Sequence, residues 1–330
     1  MPILRLAALL ALAAAVAAQP ARDAAALVRE VAAAAFAAKS WQAEGTLVRS
    51  ENGADQPPVK FRLAFQPPRY ARLEILDGEN PVLRVCNGAG QWMFYPRLKG
   101  FVKVMLPQIG PCAFPLNAWA AMDKTLANPK AGARDRVVVN GHPQPCQIVR
   151  GSFTWLGRDP VVNETVTMCI DAEKHRILRY QLAHASPAPA WSETYTFSSM
   201  QADTVLSTAL FDFQAPEGSH DFATIDWLTP IPIIPGVYQV SDAVSAPVLL
   251  AMKAPAAPAA AWPSADGHAV TIRVQIGRDG LVQAIDVVGP AGAALDEAAV
   301  KCVNDWRFQP GVSADGPEVV AGTIQVHFGK

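Results

Sequence analysis

The side chains able to do chemistry are few and scattered. Six histidines (His142, His175, His184, His220, His268, His327) and five cysteines (Cys86, Cys112, Cys146, Cys169, Cys302) are the candidate metal ligands and nucleophiles. A metal site needs such residues at short ligand spacings, and there is no Cys-x-x-Cys and no zinc pattern. A serine nucleophile on a strand-to-helix elbow needs Gly-x-Ser-x-Gly, and a zinc protease needs His-Glu-x-x-His; the sequence has neither. Gly88-Ala89-Gly90 lacks the third glycine of a dinucleotide loop and opens no helix, so it reads as a hairpin turn. Acids and bases fall singly on strand faces. The expectation is a chain that is not an enzyme, with no catalytic residue, no metal and no cofactor.

What remains is thiol chemistry and apolar surface. Oxidising compartments permit disulfides, but five thiols leave at least one over. Cys146 and Cys169 fall in neighbouring predicted strands and have two readings, a pair or two reduced core thiols. Cys302 lies on an apolar helix face and reads as a small core residue. The larger signal is alternation carried by bulky side chains. Phe61, Leu63, Phe65, Leu73, Ile75, Leu83, Val85, Trp92 and Phe94 are candidates to line an ordinary core or a ligand hollow. Burying an acyl chain supplies about 0.8 kcal/mol per methylene, so a dry hollow suffices without polar chemistry.

Composition bounds the elements that must position these residues. At 330 residues the chain is long enough for two cores, and 51% hydrophobic against 17% charged residues is globular. With 28 basic and 29 acidic residues there is no electrostatic case for nucleic acid or an anionic membrane surface. No internal apolar run approaches the ~20 residues that span a bilayer. At the N-terminus, one positive charge precedes the unbroken Leu/Ala run Leu6 to Ala15, and Val16-Ala17-Ala18 fits a small-residue cleavage site. Residues 1–18 therefore read as a secretory signal peptide, with an uncleaved anchor as the alternative. The expected mature protein is exported and periplasmic.

Ala21 to Lys39 carries Leu27, Val31 and Phe36 at helical spacing in an alanine-rich segment, and predicts a helix. From Trp41 the period becomes two. Trp41–Ser50, Val59–Phe65, Tyr70–Ile75, Leu83–Cys86 and Gly90–Tyr95 are separated by turn residues at about ten-residue intervals, which predicts an antiparallel meander. Pro111 to Lys124 loses the alternation and reads as a short helix or packed loop. Strands resume at Arg136–Asn140, Gln144–Gly151, Val161–Ile170, Arg176–Leu182 and Glu193–Met200, with Leu210 to Pro216 closing the region. The helix-then-strand entry, the hairpin Val85-Cys86-Asn87-Gly88-x-x-x-Trp92-x-x-Tyr95-Pro96, the Asp171 hairpin and Phe211-x-Phe213-x-x-Pro216 together resemble the LolA/LolB-like superfamily. That resemblance implies an incomplete β-barrel folded over helices, with a hollow that holds acyl chains.

The C-terminal stretch has its own pattern. Val270, Ile272, Val274 and Ile276 alternate with polar residues, Arg278-Asp279-Gly280 turns, and Leu281–Val288 reads as a second strand. Leu295, Ala299, Cys302, Val303 and Trp306 form a helical stripe that Pro310 ends, and Ile324, Val326 and Phe328 share one face of a last strand. The β–β–α–β order, the Asp-Gly hairpin, the Leu-Asp-Glu-x-Ala helix start and the Trp-Arg-Phe-x-Pro exit resemble the TonB family C-terminal domain over about residues 240–330. That resemblance implies a partner segment adding to the sheet edge. The matching edge is the last strand, Gly322 to Phe328, or its neighbour, with Thr323, Ile324, Gln325, Val326, His327 and Phe328 as candidates. Trp262-Pro263 is followed by only four residues before His268, which departs from the family's short leading helix.

The fold class expected is α+β: a curved antiparallel half-barrel with helices at 21–225, a proline-rich linker at 226–240, and a small ββαβ module at 241–330. Expected partners are a lipid or acyl ligand, an envelope protein joined by strand addition, or a second copy of the chain. The competing readings are a TonB-type energy transducer, which needs a membrane helix coupled to a proton-driven motor, and an envelope sensor or scaffold without a small ligand.

Overall fold

Alanine's high helix propensity and the stripe Leu27, Val28, Val31 make helix α1 over Ala24–Ala37. Asp23 caps it, its carboxylate accepting from the Ala25 N–H at 3.1 Å. The computed structural model describes residues 23–67, 69–79, 81–105, 122–155, 162–186, 190–241, 243–258, 267–313 and 315–328. The predicted leader at 1–18, Cys112, most of the interruption at 111–124 and Trp262-Pro263 lie outside these residues. Among the described residues no helix is long and apolar enough to cross a membrane.

The period-two segments become strands. In chain order they are β1 (Trp41–Glu51), β2 (Ala54–Asp55), β3 (Val59–Gln66), β4 (Tyr70–Ile75), β5 (Val82–Asn87), β6 (Gly90–Tyr95) and β7 (Gly100–Met105). A short helix, α2 (Met122–Thr125), precedes β8 (Ala127–Val139), β9 (His142–Trp155), β10 (Val162–Asp171), β11 (Arg176–Ser186) and β12 (Trp191–Ala202). Then come β13 (His220–Asp226), β14 (Val237–Tyr238), β15 (Val248–Ala251), β16 (His268–Ile276) and β17 (Val282–Gly289). Helix α3 (Ala293–Asn304) leads to β18 (Arg307–Gln309), β19 (Val312–Ser313), β20 (Gly316–Pro317) and β21 (Val319–Phe328).

One open, curved sheet runs through most of these strands. Its main order is β8-β9-β10-β11-β12-β1-β3-β4-β5-β6-β7-β13-β21-β16-β17. Adjacent pairs in this order are antiparallel except β7 with β13. The fold is α+β, as the alternation and the two helical stripes predict. Cys146 on β9 and Cys169 on β10 are joined by a disulfide with Cα atoms 5.4 Å apart, which resolves their two readings. Cys86 is also disulfide-bonded, and Cys302 is a free, buried thiol.

The sheet carries two cores on its covered face. The first packs Leu27, Val28 and Val31 of α1 against Leu47, Phe61, Leu63, Phe65, Ile177 and Phe197. The second packs α3 residues Leu295, Ala299 and Val303, with Trp306 and Phe308, against Val270, Ile272, Val274, Ile324 and Val326. It also takes in Met93, Val102 and Val104 from β6 and β7.

Strand β13 makes the sheet continuous. Ala223 and Ile225 stand opposite Val102 and Val104 on one side, and opposite Val326 and Ile324 on the other. Aromatic residues at its two ends sit on glycines of the flanking strands. A Cβ at Gly100 would lie 2.1 Å from the Phe222 ring, and one at Gly322 would lie 2.4 Å from Trp227. A hydrogen in place of that Cβ lets each ring approach its neighbouring strand.

Candidate functional site

Inner-face positions follow from register. Leu63 pairs with Leu73, Leu73 with Arg84, and Arg84 with Met93, so one row crosses β3, β4, β5 and β6. Phe65, Ala71, Cys86 and Gln91 form the next row, and Phe61, Ile75 and Val82 begin the row on the other side. Phe61, Leu63, Phe65, Leu73 and Ile75 are buried in the first core, and of these five Leu63 and Phe65 line the cleft described below.

Leu83, Val85, Trp92 and Phe94 are corrected by the same register. In β5 it is Val82, Arg84 and Cys86 that share the inner face, while Leu83 and Val85 point outward beside Phe94 and Trp92. The physical reason is that this part of the sheet is covered on both faces. A turn at Thr208–Phe211 and the residues after it lie against the outside. Phe211 packs on Tyr70 at 5.5 Å between centroids, and Phe213 meets Phe101 at 5.3 Å and Trp92 and Phe94 at 6.2 Å.

Between α1 and the inner face there is a cleft of about 30 Å³, lined chiefly by Val31, Ala35, Trp41, Leu63, Phe65 and Phe197. That is room for a water or two and far less than an acyl chain needs. His175 and Arg176 also line it. His175 Nε2 lies 3.1 Å from Glu30 Oε2 and so links the β10–β11 turn to α1. The Arg176 guanidinium is 3.9 Å from Asp171, and its Nε is buried without a hydrogen-bond partner.

A second polar group lies further along the inner face. Arg84 Nε, Gln91 Nε2 and Tyr95 Oη are all buried without hydrogen-bond partners among the described residues. Burial pushes the Tyr95 phenol above its ordinary pKa, and the nearby Arg84 charge opposes the rise. Tyr195 is pushed up in the same way, with Glu193 adding to the rise and Arg84 and Arg49 opposing it. Arg84 escaped the sequence reading because an arginine between two apolar residues looks like the solvent side of a strand. Among the described residues no three His, Cys, Asp or Glu side chains gather as a metal site.

The expected partner edge is also corrected. β21 is an interior strand: Thr323 to Val326 pair with β13, and the whole span to Phe328 pairs with β16. Thr323, Ile324, Gln325, Val326, His327 and Phe328 therefore offer no open edge over the β13 overlap. β17, which among the described residues pairs only with β16, is the outer strand of this end of the sheet.

Residues 259–329 match the family described as Gram-negative bacterial TonB protein C-terminal, within the segment read as TonB-like. No curated protein matches the chain. Among solved structures, an uncharacterized conserved protein from Thermus thermophilus is 13% identical with a TM-score of 0.36, over 59% of this chain and 96% of that one. A LolA superfamily protein from Nitrosomonas europaea is 10% identical with a TM-score of 0.30, over 58% and 97%. A structure of the Pseudomonas aeruginosa MucA/MucB complex is 11% identical with a TM-score of 0.33, over 92% and 93%.

Proposed function

We propose that this is an exported cell-envelope protein that binds an apolar or lipid ligand on the inner face of its curved sheet, beneath α1. It is a binding protein and not an enzyme. The observation that carries this is the cleft between α1 and the inner-face residues Trp41, Leu63, Phe65 and Phe197, whose lining is apolar apart from His175 and Arg176. The ligand enlarges the cleft by lifting α1, whose contact with the sheet is made by small and branched aliphatic side chains. Its TonB-like module extends the same sheet, and an envelope partner or a second copy would add a strand at β17, the outer strand.

The small size of the closed cleft favours a second reading, a sensor or scaffold that holds no small ligand. Native against denaturing mass spectrometry of the purified full chain separates the two. The lipid reading expects a bound mass that delipidation removes, and uptake of a fluorescent fatty acid afterwards. Ala35→Trp, which fills the cleft, should cut that uptake at least ten-fold while the fold is kept. A protein with no bound mass and no uptake would leave the scaffold reading standing.

A further inference from the structure

The three unpaired groups on the inner face of β5 and β6 share one chemical character. At Arg84 Nε and Gln91 Nε2 the buried atoms are donors only, and the Tyr95 hydroxyl can donate as well. Register brings them together. Arg84 stands opposite Met93, with Gln91 and Tyr95 two residues to either side of Met93 on the same face. Diagonal neighbours of this kind are about 7–8 Å apart and within reach of long side chains. Gln91 is only 3% exposed, so its amide is not satisfied by bulk water.

Among the described residues no acid is paired with the Arg84 charge. Glu193, the carboxylate near Tyr195, is already held by Arg49 at 2.9 Å and by the Tyr195 hydroxyl at 3.3 Å. A partly buried guanidinium whose Nε is shut from water without a partner is costly, as is a buried amide with free donors. A set made of donors and one positive charge is complementary to an oxyanion, whose lone pairs would satisfy all three.

We infer that Arg84, Gln91 and Tyr95 form a binding site for an oxyanion, the carboxylate or phosphate of a ligand. Leu63, which lines the cleft, is two strands from Arg84 through Leu73, or about 10 Å along one face at the usual strand spacing. An amphiphile would place its head at Arg84 and its tail toward the cleft. This last step rests on the proposed apolar-ligand function; the oxyanion site does not.

The test uses the full chain with three probes: inorganic phosphate, decanoate and uncharged decanol. The expected result is that decanoate binds at least ten-fold more tightly than decanol, that phosphate raises Tm, and that Arg84→Met removes both effects. Arg84→Met also removes an unpaired, partly buried charge, so the unliganded variant should be at least as thermostable as the parent. Tyr95→Phe and Gln91→Met should each weaken decanoate binding by a smaller factor. The site is overturned if phosphate has no effect and decanoate binds no better than decanol, or if the preference survives Arg84→Met. Equal decanoate and decanol binding together with no phosphate effect would overturn it while leaving the apolar cleft standing. An Arg84-dependent phosphate shift in a protein that takes up neither amphiphile would support the site, assign it to a free anion, and sink the apolar-ligand reading.

Discussion

At the scale of single residues, two unpaired polar groups sit where β13 meets its neighbours. Asp221 Oδ1 and His327 Nε2 are buried without hydrogen-bond partners among the described residues. Burial raises the Asp221 pKa above 3.8, while His327 on β21, the Ala223 N–H and Lys103 on β7 hold it down only in part. The fold therefore prefers the neutral acid. Between pH 3.8 and the raised value the native state binds more protons than the unfolded chain, so stability falls as pH climbs through that window. Asp221→Asn should be more stable than the parent at neutral pH by about 1 kcal/mol, a modest figure because the carboxyl is only half-buried. The gain should shrink as pH is lowered through the window and vanish below it. Urea titrations at several pH values measure this, and a gain independent of pH would refute the assignment. The opposite extreme is Trp306, whose indole N–H donates to the Lys253 carbonyl at 3.1 Å, an acceptor shared with the Cys302 thiol. Burial holds that thiol near a pKa of about 11, so it stays protonated at neutral pH, in keeping with a core residue.

At the scale of elements, the alternation of β16 and the stripe of α3 were legible because each buries one face only. Val270, Ile272, Val274 and Ile276 are all fully buried, and Leu295, Ala299, Cys302 and Val303 face the core. β5 was not legible in this way. Val82, Leu83, Val85 and Cys86 surround Arg84 with apolar residues on both faces, so the period gives no face. β7 and β13 went unread because no tight turn joins them to each other; β13 pairs with strands far away in sequence. Whether β21 lies at an edge is likewise set by that distant pairing, which no local pattern encodes. The aromatic–glycine contacts of β13 test its importance. Gly322→Ala should cost about 1–3 kcal/mol by forcing a Cβ into Trp227, and Trp227→Leu should recover part of that loss in the double variant. A Gly322→Ala change that costs almost nothing would mean that the indole moves aside freely.

At the scale of the whole molecule, the two cores share one sheet, so the C-terminal module is not cleanly separable at residue 240. A fragment of residues 240–330 would lose β13 and expose the β21 backbone together with apolar surface that Ala223 and Ile225 now cover. It should self-associate, as unprotected strand edges do. The full chain, which keeps β13 together with its partner β7, should show a smaller tendency in sedimentation measurements. Equal behaviour of the two would show that these strands are not needed to seal that edge. The same strand bears on how the chain assembles in time. Synthesis runs from the N-terminus, so β7 must wait for a partner far downstream, since Gly100 pairs with His220. β13 then waits for a second long stretch, because Ala223 pairs with Val326. The middle of the sheet can close only after the last strand has been made. Until then a nascent chain presents an open hydrogen-bonding edge in its centre, and anything that holds that edge in the interval acts on the last and most vulnerable step of its folding.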